Sequence, residues 1–197
     1  MTRINIVLFD MFETLDAFGP AEMMDKLPDG GSIGYFSQRG GQVVSSQQLT
    51  VVTESFADMD RSGVLLIPGG MGTRTLVDDE DFIAQLRALA EEASFVLTVC
   101  TGSGLLAKTG LLDGRRATSN KRAFEWVRSV GEQVNWIKSA RWVVDGKFYT
   151  SSGVSAGTDM ALGFIADRFG LEAALDISDR TEYIWNADKD FDPFAID

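Results

Sequence analysis

The chain has 197 residues, of which 45% are hydrophobic and 24% charged, as in an ordinary soluble domain. Its 18 basic and 29 acidic side chains give a net charge of −11, which repels polyanions and argues against nucleic-acid or anionic-membrane partners. One cysteine and no histidine provide neither an internal disulfide nor a nitrogen–sulfur zinc site, so we expect a reducing, cytoplasmic location with no metal and no cofactor.

Apolar, β-branched runs alternate with helical patterns along the first half of the chain. In chain order we first predict a strand at 4–9 and a helix from Gly19 with Pro20 in its first turn. A strand at 32–37 and an edge pair or hairpin at 42–46 and 49–54 come next. A strand at 64–68 follows and leads into a flexible GGMGT segment. Apolar residues at 82, 83, 86, 89 and 90 then predict an amphipathic helix.

The same alternation continues in the second half. We predict a strand at 94–99, a short helix closed near Gly110, a helix capped by Asn120, a hairpin turning at Asp145 and Gly146, and a long helix ending at Gly170. The pattern indicates an α/β fold with a mostly parallel sheet covered on both faces, and no linker divides 1–197 into more than one domain. The acidic, aromatic tail from Glu182 onward is expected to pack on the body or on a partner subunit. No apolar run reaches the roughly 20 residues of a membrane helix.

Cys100 stands where the apolar run 94–99 meets TGSG. Ligands of a doubly wound sheet gather beyond the carboxyl ends of its strands, and a residue on a sharp strand-to-helix turn projects outward like the serine of a nucleophile elbow. N–H groups at the start of the next helix favour the thiolate, so we expect a nucleophile of lowered pKa. The alternative is a buried, inert cysteine that packs as a small hydrophobe, but the strand–Cys–Thr–Gly context favours the nucleophile.

Two further segments are candidates to face Cys100. Gly69 and Gly70 follow another central strand, and their backbone N–H groups could approach a ligand as an oxyanion hole requires, although glycine turns also serve purely conformational needs. Asp16 lies in the loop after the first strand, just before the predicted helix. It is either a helix-capping acid or, against a thiolate, a carboxyl of raised pKa that replaces histidine as the general acid–base.

Weaker candidates occupy other loop-to-helix junctions. Asn120 is most simply a helix cap, and Lys121 is most simply solvated. Ser155, Thr158 and Asp159 are more typical of a helix start than of a site. The irregularly spaced tryptophans indicate core or interface positions.

With Cys100 and the two glycine turns in place, the chain resembles the ThiJ/PfpI superfamily over nearly its whole length. The resemblance is carried by NIVLFDMFETLDAFGP, LLIPGGMGT, TVCTGSGLLAKTGLLDGRRATS and YTSSGVSAGTDMAL. LDAFGP and the cysteine segment are most similar to the isocyanide hydratase branch and to the sensor domains of AraC-type regulators. We expect no DNA-binding extension.

The resemblance implies a flavodoxin-like three-layer sandwich, a homodimer and a small-molecule substrate. It implies Cys100 as nucleophile, Asp16 as the acid that hydrogen-bonds its sulfur, and backbone N–H donors near Gly70 and Thr101. Thr101 stands where protease-like members carry histidine, and Asn120 stands where the hydratases do. A Cys–His peptidase mechanism is therefore excluded, because the chain contains no histidine.

These observations predict hydration of an organic isocyanide to an N-substituted formamide. Cys100 attacks the terminal carbon and Asp16 moves the protons, which requires no histidine. Two alternatives stay open. One is another enzyme of the same family, such as an amidase or a dicarbonyl hydratase. The other is a redox or ligand sensor whose Cys100 is oxidised without turnover.

Overall fold

The elements come from a computed structural model that describes residues 1–196; the predicted domain runs to 197, which lies outside the described residues. The strands are β1 (Thr2–Val7), β2 (Gly31–Ser37), β3 (Gly41–Val44), β4 (Thr50–Ser55), β5 (Val64–Ile67), β6 (Phe95–Thr98), β7 (Arg116–Ala117), β8 (Asn135–Trp136), β9 (Trp142–Asp145) and β10 (Phe148–Ser151). The α-helices are α1 (Thr14–Met24), α2 (Thr73–Leu76), α3 (Glu80–Glu92), α4 (Gly102–Lys108), α5 (Phe124–Val130), α6 (Val154–Phe169) and α7 (Leu171–Arg180).

Within residues 1–196, eight strands form one sheet in the order β3-β4-β2-β1-β5-β6-β10-β9. The strands from β4 to β10 in this order are parallel, and the outermost strands β3 and β9 each pair antiparallel with a neighbour. One helical layer contains α1, α6 and α7, and another contains α3, α4 and α5. The predicted α/β sandwich of flavodoxin-like type is confirmed.

The core lies between the sheet and its two helical layers. All four residues of β5 are buried, as expected for a central strand covered on both faces. Large aromatic side chains fill the layers on either side; the fully buried ones are Phe12, Phe36, Phe82, Phe124 and Phe164. The edge pair β3–β4 and the hairpin β9–β10 close the two ends of the sheet where the sequence predicted them.

The first helix begins earlier than predicted. It starts at Thr14, so Pro20 lies inside α1 and Asp16 lies in its first turn rather than in the preceding loop. Glu13 donates its N–H to the carbonyl of Gly69 at 2.9 Å, and Asp16 donates to the carbonyl of Glu13 at 3.1 Å. A contact with a neighbouring strand end therefore starts the helix, which local sequence signals do not reveal.

Several short or late elements were not predicted. The GGMGT segment leads directly into α2, and β7 pairs with β8 in a separate small sheet. Gly170 ends α6 as predicted, but α7 begins at the next residue and buries Ala174 and Ile177. A glycine stop signal marks the end of one helix and carries no information about the start of another.

The predicted packing of the aromatic tail on the body is confirmed. Trp185 donates its indole N–H to the carbonyl of Asp159 at 3.1 Å, and the Tyr183 hydroxyl donates to the Asp159 carboxylate at 3.1 Å. Arg141 donates its backbone N–H to the carbonyl of Lys189 at 2.8 Å. The tail thus runs along the start of β9 and the inner face of α6.

Among the described residues, no helix combines the length and the apolar composition that crossing a bilayer requires.

Lys121 is buried, whereas the sequence predicted a solvated side chain. Its Nζ donates to Thr118 Oγ1 and to the carbonyl of Ala140, both at 2.7 Å. Burial lowers the pKa of Lys121 to about 8, and the nearby Asp192 carboxylate partly offsets this effect. Asp192 is itself buried, 3.9 Å from Lys121 Nζ and 3.8 Å from Arg141 Nη1. The tail therefore supplies negative charge near two buried cations, although Arg141 pairs more closely with Asp159, whose Oδ2 accepts from Arg141 Nε at 2.8 Å.

We expect Asp192→Ala to lower the free energy of unfolding by about 3 kcal/mol, because Lys121 and Arg141 then stay buried with less compensating charge. Denaturant unfolding at pH 7 measures the change. The matched control is Asp190→Ala, an exposed acid of the same tail, which should change stability by less than about 0.5 kcal/mol. Equal effects of the two substitutions would contradict a role for the buried charge.

Candidate active site

The candidate site lies at one edge of the sheet, where three neighbouring strands end. Asp16 follows β1, Gly69 follows β5 and Cys100 follows β6, and β5 pairs in parallel with both β1 and β6. Because parallel strands end at the same edge, these residues converge although they are far apart in sequence.

Cys100 occupies a strained turn between β6 and α4. Its φ of 57° lies in the left-handed region that non-glycine residues rarely adopt. Its N–H donates to the carbonyl of Ser152 at 2.9 Å, while its own carbonyl accepts hydrogen bonds from the hydroxyls of Ser103 at 3.0 Å and Ser119 at 2.8 Å. The predicted sharp strand-to-helix turn is confirmed, and these hydrogen bonds hold it in place.

Asp16 is completely buried beside the thiol. Its Oδ2 accepts the N–H of Gly69 at 2.9 Å, whereas Oδ1 is buried without a well-aligned hydrogen-bond donor. Burial raises the pKa of Asp16 to about 7; the Gly69 N–H lowers it, the charge of Glu13 raises it, and an interaction with the Cys100 thiol lowers it again. The carboxyl therefore exchanges a proton near neutral pH.

Gly69 separates the acid from the start of α4. A Cβ at this position would lie 2.6 Å from the backbone nitrogen of Thr101, 2.7 Å from Thr101 Oγ1 and 2.9 Å from Asp16 Oδ2. Real Cβ atoms do not approach other heavy atoms this closely, so the contact between the two strand ends requires glycine.

The thiol itself lies in surroundings that differ from the sequence-based expectation. Burial raises the pKa of Cys100, and the negative charge of Asp16 raises it further. The backbone N–H of Thr101 and the side chains of Asn120 and Thr101 lower it, but by less. Desolvation thus outweighs the helix start, and the pKa of the thiol is raised where the sequence predicted that it would be lowered.

The glycine turn does not present open donors in this structure. Gly69 donates its N–H to Asp16, and Gly70 donates its N–H to Thr101 Oγ1 at 3.1 Å. The expected oxyanion donors at Gly69 and Gly70 are therefore already engaged, because the turn is used to position Asp16 and Thr101. The groups that lower the pKa of the thiol are the backbone N–H of Thr101, the side chain of Asn120 and the side chain of Thr101.

Asn120 has two contacts. Its Oδ1 accepts the N–H of Ala123 at 3.1 Å, which confirms the predicted cap, although the capped turn is a short 3₁₀ segment that precedes α5. The amide end of the same side chain hydrogen-bonds the sulfur of Cys100. One side chain therefore ties the start of this helical segment to the thiol.

Arg74 and Trp126 are neighbours of the site that the sequence did not single out. The Arg74 guanidinium carbon lies 3.3 Å from the centre of the Trp126 ring, and the charge of Arg74 interacts with that of Cys100. Their signals were an arginine two residues after Gly72 and a tryptophan in a later helical pattern, and neither signal is specific without the fold.

The chain matches the DJ-1/PfpI family over residues 2–167. This chain belongs to the DJ-1/PfpI family. This DJ-1/PfpI protein is 32% identical to an isonitrile hydratase of Pseudomonas putida over 92% of this chain and 78% of that relative. It is 28% identical to a deglycase of Thermococcus kodakarensis over 76% of this chain and 89% of that relative.

A solved structure supports the same grouping. A ThiJ/PfpI family protein from Pseudomonas syringae superposes on this DJ-1/PfpI protein with a TM-score of 0.84 and 29% sequence identity. The match covers 92% of this chain and 75% of that one.

A cavity of about 360 Å³ lies next to the candidate site in this DJ-1/PfpI protein. Its lining includes Asn120, Gly153 and Ala156 together with Phe194 and Ile196 of the tail. Cys100 is not among the lining residues. Within residues 1–196, no group of three His, Cys, Asp or Glu side chains could hold a metal ion.

We expect Asp16→Asn to stabilise the protein by up to about 4 kcal/mol at pH 8. Between the ordinary aspartate pKa of 3.8 and about 7, the unfolded carboxyl loses its proton while the buried one keeps it, so wild-type stability falls as pH rises. The advantage of the variant should therefore grow from pH 4 to pH 7 and then level off.

Chemical unfolding at several pH values measures this difference. Glu22→Gln, an exposed acid on the same helix, is the control and should show no such pH dependence. A difference between Asp16→Asn and wild type that does not vary with pH would contradict the raised pKa.

Proposed function

We propose that this protein is an isocyanide hydratase, which adds water to an organic isocyanide and releases an N-substituted formamide. The observation that carries the proposal is the contact between the buried Asp16 carboxyl, with a pKa of about 7, and the thiol of Cys100 in a chain without histidine. The similarity to the isonitrile hydratase of Pseudomonas putida supports the same reaction.

In the first step, the sulfur of Cys100 forms a bond to the terminal carbon of the isocyanide. Asp16 begins as a carboxylate and takes the thiol proton as the S–C bond forms. The attacked carbon becomes carbanionic, and Asp16 returns the proton to that carbon. The product is a thioimidate on Cys100, with Asp16 again a carboxylate.

In the second step, Asp16 takes a proton from a water molecule whose oxygen attacks the thioimidate carbon. The hydroxyl proton passes to the nitrogen, the carbonyl forms and the C–S bond breaks. Cys100 leaves as a thiolate and recovers its proton from Asp16. One water is consumed, and the acid–thiol pair returns to its starting state with one shared proton.

The donors around the sulfur suit this scheme. The backbone N–H of Thr101 and the amide of Asn120 hydrogen-bond the sulfur, and we assign them to stabilising its negative charge as it forms and leaves. Gly69 and Gly70 act indirectly in this proposal, because their N–H groups hold Asp16 and Thr101 in position.

The sensor alternative is less well supported. Oxidation of a cysteine requires an accessible thiolate, whereas only 7% of Cys100 is exposed and burial raises its pKa. A buried thiol with an adjacent proton acceptor is better suited to a small substrate that enters the site and triggers proton transfer.

We expect kcat/KM for isocyanide hydration to fall about tenfold per pH unit below about 7, because protonated Asp16 cannot accept the thiol proton. Asp16→Asn should lower kcat/KM by about 100-fold or more and remove this acidic limb, and Cys100→Ala should abolish turnover. Chromatography of isocyanide loss and formamide appearance measures both.

Glu22→Gln is the control and should retain wild-type rates and the same acidic limb. Wild-type turnover no faster than that of Cys100→Ala would refute the hydratase proposal. Conversion of glyoxal without any formamide production would instead favour the dicarbonyl hydratase alternative.

The homodimer implied by the resemblance stays a prediction. Exposed apolar side chains are frequent on α7 and the tail, where Leu171, Leu175, Ile184 and Phe191 are all more than half exposed. Light scattering after size exclusion should give twice the chain mass of 21.5 kDa, and a monomer at micromolar concentration would contradict this expectation.

A further inference from the structure

The short helix α2 places Arg74 beside the site. The preceding residue, Thr73, is buried and donates its hydroxyl hydrogen to Thr101 Oγ1 at 3.1 Å, and Thr101 directly follows Cys100. α2 also packs against α4, whose first turn begins next to the nucleophile. Arg74 is therefore held by the same contacts that hold the site.

Trp126 of α5 fixes the orientation of Arg74. The guanidinium stacks on the indole with its carbon 3.3 Å from the ring centre. Trp126 comes this close to α4 because Gly104 has no side chain, since a Cβ there would lie 3.2 Å from an indole carbon. A stacked guanidinium keeps its plane fixed and presents its N–H edge to a planar anion.

Among residues 1–196, no carboxylate balances the charge of Arg74. Its Nη1 is buried and, among the described residues, has no hydrogen-bond partner. Burial lowers the pKa of Arg74, and the interaction that opposes this effect is with the charge of Cys100 rather than with a carboxylate. A buried donor without a partner is costly, so a ligand that supplies an acceptor here gains binding free energy.

We propose that Arg74 binds a carboxylate on the substrate of Cys100, so that the substrates are isocyanides that carry an anionic group. A carboxylate can accept two parallel hydrogen bonds from a guanidinium, which suits the fixed plane of Arg74. The choice of isocyanides rests on the proposed function, whereas recognition of an anion by Arg74 does not. A net charge of −11 disfavours anions in general, so any preference for them must be local.

Alkylation of Cys100 tests the anion preference without any assumption about the reaction. Cys100 is the single cysteine, so mass spectrometry of the intact chain counts its modification directly. The probes are iodoacetate, which is anionic, and iodoacetamide, which is neutral and of similar size. Each forms an S–C bond and releases iodide. The quantity measured is the ratio of their rates at pH 8.5, relative to the same ratio for N-acetylcysteine.

We expect this relative ratio to be about 10 in the wild type and close to 1 in Arg74→Met. A tenfold change is the size expected for the loss of one charge-assisted hydrogen bond. Arg74→Lys should keep part of the preference, because its charge is retained while the stacked plane is lost. The matched control is Arg128→Gln, an exposed arginine of α5 that pairs with Glu125, and it should not change the ratio.

Each other outcome counts against the proposal. If Arg74 acts only on the thiol or on the fold, Arg74→Met changes both rates equally and leaves their ratio intact. A wild-type ratio at or below that of N-acetylcysteine would show no anion preference. Alkylation by neither reagent would also count against the proposal, because Cys100 would then react with no small anion under conditions in which N-acetylcysteine does.

A second measurement addresses the substrate class. The kcat/KM for isocyanoacetate should exceed that for methyl isocyanoacetate by about tenfold, and Arg74→Met should remove the difference mainly through KM. Equal use of the two substrates by wild type would contradict the proposal. Turnover of neither, together with an alkylation ratio that depends on Arg74, would reject the hydratase function but retain the anion site.

Discussion

The hydrogen bond from the N–H of Gly69 to the Asp16 carboxylate is the contact on which the rest of the site depends. It joins the end of β5 to the first turn of α1, and the absence of a Cβ at Gly69 lets Thr101 and the start of α4 approach from the other side. Three strand ends therefore meet in direct contact. Any side chain at residue 69 would separate the acid from the segment that carries the nucleophile.

This close packing also sets the electrostatics. Burial disfavours the charged form of both the Asp16 carboxyl and the Cys100 thiol. The negative charge of Asp16 raises the pKa of the thiol further, whereas the hydrogen bond with Cys100 lowers the pKa of Asp16. Two buried acids in contact share a proton more readily than they both lose one. In the proposed reaction, the pair performs between carboxyl and sulfur the proton transfer that many cysteine enzymes assign to histidine. That proposal accounts for nucleophilic chemistry in a chain without histidine.

The residues that surround the pair come from elements that are far apart in the sequence. Asn120 reaches the sulfur from the segment before α5, while Arg74 and Trp126 approach from α2 and α5. The C-terminal tail adds Asp192 as the counter-charge of Lys121, which lies next to Asn120 in the chain. The position of Asn120 is therefore connected to the tail through one buried cation.

Local sequence determined the central strands, the amphipathic α3, the β9–β10 hairpin and the turn at Cys100, because period, β-branching and turn residues act over a few neighbouring positions. It also raised Asp16 and Cys100 as candidates, since the lack of histidine left few groups able to move a proton, and the structure places the two side chains together. Only the tertiary structure decided the early start of α1, the burial of Lys121 and the raised pKa of the thiol. It also decided that the N–H groups of Gly69 and Gly70 donate to Asp16 and Thr101. Each of these depends on residues distant in sequence, because desolvation and close backbone approach are set by what packs against a group and not by its neighbours in the chain.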